Sequence, residues 1–103
     1  MTAIVAGTFA NAQSVSVGQR SAPLVIPSGV TSMALTLGGD INASNTCKTR
    51  KSTTNGQTWT DQTTYNSAQN AVAVTVAAGE HWIVENVAGQ ANKQISYVLS
   101  LES

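Results

Sequence analysis

His81 is the only histidine of the chain, so any imidazole-based chemistry, a nucleophilic triad or a His-bearing metal site, has to be built around it. Glu80 stands beside it and Glu85 four residues on. In a strand, successive residues rise about 3.3 Å and alternate faces. His81 and Glu85 therefore share a face but stand too far apart to hold one metal without a ligand from another strand. The remaining carboxylates, Asp40, Asp61 and Glu102, are scattered, and no spacing pairs any two of them as acid and base. The expectation is a strand-end histidine with a solvated glutamate neighbour, no metal, no cofactor and no enzyme activity. Cys47 is the single cysteine. It has no intramolecular partner and no Cys/His cluster beside it, which makes it a small hydrophobe or a free thiol.

Lys48, Arg50 and Lys51 form the one charge cluster, and strand alternation puts Lys48 and Arg50 on one face with Lys51 on the other. They can meet an acidic partner or a phosphate. The preferred reading is that they guard an exposed hairpin against edge-to-edge pairing. Among the aromatic residues, Trp82 and Tyr97 fall on apolar-rich segments and belong to a core, where each buries about 150–250 Å². Trp59 and Tyr65 are left as candidates for a sugar-stacking platform with nearby Asn and Gln as hydrogen-bonding groups. Lys48, Arg50, Trp59 and Tyr65 are thus the candidate ligand or partner surface.

The elements that would position these residues are strands. Apolar and polar residues alternate around Val15 and Val17, giving a half-buried strand over 12–19, and again at Met33, Leu35 and Leu37. Pro23 and Pro27 bracket Leu24, Val25 and Ile26, which makes that piece a short edge strand or the approach to one, because proline cannot donate to a ladder. Asn55-Gly56 predicts a type I′ turn joining strands over 46–53 and 57–64, since both residues accept a positive φ. Val72, Val74 and Val76 share a face. The segment 80–87 carries Trp82 and Val84 with Ile83 and Val87 opposite, the pattern of a central strand covered on both sides. Tyr97, Leu99 and Leu101 make the last strand. Eight or nine strands with turn signals between them, and no helical spacing, predict an all-β, single-domain antiparallel β-sandwich over residues 1–103, with a jelly roll as its expected form.

Composition limits the partners. Only 10% of residues are charged and the five acids balance the five bases, so a phosphate-seeking surface for nucleic acid is not expected. No apolar run approaches the roughly 18 residues that span a bilayer, so no membrane partner is expected either. Solvation falls to the 39 Ser, Thr, Asn and Gln residues, which are interleaved with Val, Ile, Leu and Ala too regularly for a disordered chain. The run from Ala3 to Ala10 imitates the apolar core of a secretory signal, with Ala10-Asn11-Ala12 as a cleavage site. It lacks a basic leader and is shorter than the roughly 15 residues of a minimal signal, so it reads as a first strand. That strand is apolar enough to be covered by a neighbouring copy or a capsid lattice, which makes Ile4, Val5 and Phe9 the candidate assembly contacts of an oligomer, a trimer or dimer. Pairing within its own sandwich is the alternative.

The run from Ser52 to Thr60, with Thr54-Asn55-Gly56 where Asp-Gly-Gly is common, resembles the S-x-D-G-G-x-T-W turn of many phage structural and bacterial surface β-sandwich domains. The run from Val25 to Ser32 is similar to the V-P-x-G-x-T-S lead into a strand found in the same proteins. Together they cover about a fifth of the chain, and both are turn chemistry. The resemblance implies a virion accessory protein, such as a decoration protein that binds the capsid exterior as a symmetric oligomer through broad faces. It carries over no functional residue. A carbohydrate-binding or adhesive module, secreted or at the cell surface, is the alternative.

Overall fold

The computed structural model describes residues 4–11, 19–88 and 93–102. Their strands are β1 (Ile4–Asn11), β2 (Leu24–Val25), β3 (Ser32–Gly39), β4 (Thr46–Ser52), β5 (Thr60–Tyr65), β6 (Gln69–Thr75), β7 (His81–Ala88) and β8 (Lys93–Glu102). The strand expected over 12–19 lies outside the described residues except for Gln19, and so does Thr2 at the start of the apolar N-terminal run.

Two antiparallel four-stranded sheets form, one in the order β1-β8-β3-β6 and the other β2-β7-β4-β5. First and last strands pair, then second with seventh, third with sixth and fourth with fifth. A hairpin rolled up lengthwise produces this nesting, and it is the winding of a jelly roll. The two sheets enclose one core. The sheet containing β1 gives it Phe9, Met33, Leu35, Leu37, Ile95 and Leu99, and the opposing sheet gives Leu24, Cys47, Trp82 and Val84. All of the β1 and β8 residues in the core fall on one face by alternation, as strand geometry demands.

β1 pairs along its whole length with β8, from Ile4 opposite Ser100 to Asn11 opposite Lys93. Phe9 is buried and its ring packs on Tyr97 at 4.6 Å between centroids. The Tyr97 ring reaches across the strand pair over Gly7, where a Cβ would stand 2.5 Å from the phenol oxygen and 2.9 Å from Cζ. Glycine is the residue that leaves room for that ring. The N-terminal strand therefore pairs inside its own sandwich.

The Asn55-Gly56 turn forms with both residues at positive φ and with the Gln57 amide donating to the Thr54 carbonyl. It is the tip of a longer loop, 53–59, and the strands stop sooner than the pattern predicts. Hydroxyls take the amides that a longer ladder would use: Ser52 Oγ accepts from the amides of Thr54 and Gly56, and Thr54 Oγ1 accepts from that of Thr58.

β6 carries an irregularity that alternation did not signal. Its register against β3 slips by a residue between Val72 and Gln69, and Ala71 at the slip has φ 50°. The Ala71 amide donates to Thr36 Oγ1 at 3.0 Å in place of a ladder carbonyl. A bulge on an edge strand twists that edge away from pairing, and here the backbone strain falls on an alanine. Ala71→Gly should therefore raise stability by about 0.5–1 kcal/mol in urea unfolding, since glycine adopts this φ without a Cβ clash; a loss of stability would show that the bulge does not exist.

Candidate functional site

The outward face of the β2-β7-β4-β5 sheet gathers half of the chain's ten charged side chains. Register sets it: Lys48 lies opposite Glu85, Arg50 opposite Asp61, and Arg20 bridges Glu85 from the far side of β7. Gln19 and Ser21 hold Arg20 there. The Asn86 amide donates to the Gln19 carbonyl, the Ser21 amide to the Val84 carbonyl, and the Val84 amide to Ser21 Oγ at 2.9 Å. Pro23, which has no amide to give, interrupts this pairing before it resumes in β2 with Leu24 opposite Trp82.

The side chains form a row of alternating sign. Arg20 Nε is 2.8 Å from Glu85 Oε1, Lys48 Nζ 3.4 Å from Glu85 Oε2, and Arg50 Nη1 3.5 Å from Glu85 Oε1. At the other end Arg50 Nε is 2.8 Å and Lys48 Nζ 3.2 Å from Asp61. Glu85 is 8% exposed. Burial by itself would raise its carboxyl pKa, but the Arg20 hydrogen bond and the charges of Arg50, Arg20 and Lys48 outweigh burial and hold it below the usual carboxylate range.

Lys48 and Arg50 do share a face, and Lys51 points the other way. Their expected role as guards of an open edge is corrected by the topology, because β4 lies between β7 and β5 and has no free edge. The hairpin signal identified β5 as a neighbour of β4; nothing local could identify β7, whose Glu85 comes much later in the chain.

Trp59 belongs to this face and Tyr65 does not. The Trp59 carbonyl accepts from Arg50 Nη2 at 3.2 Å, and its half-buried indole lies by Gly56, where an added Cβ would be 3.7 Å from Trp59 Cζ2 and 4.0 Å from His81 Nδ1. Tyr65 pairs with Cys47 and packs against the core. The two aromatics thus point to opposite faces of the sheet, and no shared stacking platform forms. Of the N-terminal candidates, Phe9 is in the core and Val5 packs against it, while Ile4 is 61% exposed.

His81 opens β7 facing outward, whereas Glu80 turns inward and braces the chain end of the sandwich. Glu80 Oε1 accepts from Trp82 Nε1 at 3.0 Å and from the Ala77 amide at 2.8 Å, and Lys51 Nζ stands 3.2 Å from Oε2. Burial would raise the Glu80 pKa, and these partners lower it further than burial raises it. Beside it, Thr53, Asn55, Ala78 and Gly79 line a hollow of about 280 Å³. Among the described residues no three metal-ligating side chains converge. The Cys47 thiol is fully buried, and desolvation pushes its pKa up to about 12, so it is held as an unreactive thiol.

Comparison with known proteins returns nothing for this arrangement: no family matches the chain, and no curated protein or solved structure matches it.

Because the Glu85 carboxyl is depressed in the folded state, its contribution to stability is full above the unfolded pKa of about 4.3 and fades as pH falls through the lower folded value. Glu85→Gln should be less stable at neutral pH, where three cations lose their shared anion, and its stability should fall less steeply below about pH 5. Unfolding curves for both proteins from pH 7 to pH 2 check this. Parallel acid limbs would show that Glu85 contributes nothing to acid sensitivity.

Proposed function

We propose that this protein is a non-enzymatic structural component of a phage particle, a small decoration or accessory protein that binds the capsid exterior as a closed symmetric oligomer. The observation that carries the reading is where the charge sits. Arg20, Lys48, Arg50, Glu85 and Asp61 are paired with one another on one broad face and leave a single net positive charge there, and Lys51 and Glu80 pair at the end of the sandwich. Among the described residues the carboxylates of Glu85, Asp61 and Glu80 are all held in ion pairs, and the sandwich offers wide, nearly neutral faces of the kind that pack against other protein surfaces. The turn resemblance of the 52–60 and 25–32 runs adds the phage context.

Cosedimentation tests it. Mixed with empty phage capsids assembled from a major capsid protein, the protein should sediment with them at a fixed, saturable stoichiometry. Absence of binding at tens of micromolar removes the reading.

One observation favours a second reading, a carbohydrate-binding or adhesive module. Trp59 remains half-exposed at the loop end of the sandwich, close to His81 and to the loop that lines the hollow. An exposed indole is the usual stacking surface for a sugar ring. If this reading holds, neutral oligosaccharides shift the tryptophan fluorescence of the protein and not that of Trp59→Ala.

A further inference from the structure

The charged row on the outer face has a symmetry of its own. Across the sheet the signs run positive at Arg20, negative at Glu85, positive at Lys48 and Arg50, and negative at Asp61. Reversed end to end, this order becomes its own opposite. A second copy laid face to face, about a two-fold axis running close to the strand direction, therefore brings Arg20 of each copy towards Asp61 of the other. The same operation sets each Glu85 against the Lys48 and Arg50 pair of its partner. Arg20 and Asp61 lie on different rungs of the sheet, so the axis tilts away from the strands.

We propose that the outer face of the β2-β7-β4-β5 sheet is an isologous interface between two copies of this chain, with the row from Arg20 to Asp61 as its self-complementary core.

Three further observations bear on the second copy as occupant. The terminal charges are the ones that still face solvent: the Arg20 side chain is 44% and the Asp61 side chain 61% exposed, while the Glu85 side chain between them is 10% exposed. An outside cation or anion meets a charge of its own sign at one end of the row, whereas a reversed copy meets the opposite sign at both. Val25, 52% exposed, lies on this face beside His81 and not far from Trp59, so closing the interface also removes apolar surface from water. The molecule measures 41 × 28 × 18 Å, and its broad face is large enough for the roughly 800 Å² per partner of a standard interface.

The inference rests on the oligomer in the proposed function and specifies its geometry. The test is a charge-swap mixing experiment in sedimentation equilibrium. Wild type should dimerise, and less tightly as salt rises. Arg20→Glu places like charges against Asp61 of the partner at both ends, and Asp61→Lys does the same against Arg20, so each variant alone should dimerise at least about tenfold more weakly. Mixed one to one, they should recover the dimer, because every end contact again joins opposite charges. Both positions are solvent-facing, and circular dichroism of each variant verifies that it is folded; should either fail to fold, the loss of dimer with salt in wild type still has to appear.

Variants that dimerise as wild type does overturn this interface and leave the oligomer reading in place, as does a trimer. A wild-type monomer at hundreds of micromolar overturns the interface and the oligomer together. Variants that keep the dimer but no longer bind capsids would assign the face to the capsid protein and overturn the inference.

Discussion

β7 has to be buried on both sides, and the rest of the protein is arranged to meet that constraint. Trp82 and Val84 enter the core between the sheets, while Ile83 and Glu85, on the opposite side, are 2% and 8% exposed. Burying Ile83 is favourable on its own account. Burying Glu85 is costly unless cations accompany it, and the strands on either side of β7 provide them: Lys48 and Arg50 from β4, Arg20 from the segment leading into β2. The charged row thus exists because a carboxylate sits in the middle of a covered strand. Each of its three cations also fixes the register of a neighbour, since a shift of one residue would send the cation to the other face.

The same economy holds at the end of the sandwich. Glu80 receives the indole N–H of Trp82, the Ala77 amide and the Lys51 ammonium, so one carboxylate closes the turn before β7, satisfies the polar tip of a core tryptophan and neutralises the inward-facing lysine of β4. Lys51 also stands 6.0 Å from the centroid of the Trp82 ring. Glu80 and Glu85 do parallel work on opposite faces of β7, and strand alternation is what separates them.

Much of the fold was legible in the sequence because it is written in period two. The covered strand at 80–87, the edge piece between Pro23 and Pro27 and the alternation at Met33, Leu35 and Leu37 all appear in the structure as the pattern predicts. So does the positive-φ pair at Asn55-Gly56. What stayed hidden depends on which distant strand lies alongside. Lys48 and Arg50 look like guards of an edge until β7 is placed next to them. Tyr65 looks like a surface aromatic until its pairing with Cys47 turns it inward. Ile4, Val5 and Phe9 look like an unsatisfied apolar arm until pairing with β8 turns Val5 and Phe9 towards the core. The bulge at Ala71 has no sequence mark at all, because alanine is an unusual residue for that backbone and the glycine that would announce it is absent.

The nesting of strands also governs how the chain can be made. β1 stands at the end of its sheet order and is held by β8, the last strand of the chain. On a ribosome adding about 5–20 residues each second, the first strand emerges and then waits, for seconds, until the last one follows. Throughout that interval an uncharged, β-prone segment is in water without its partner. Nearly every pairing in the molecule joins residues far apart in sequence, which places the fold among the slower ones. Both features lengthen the time for which the growing chain carries an unpaired strand in water.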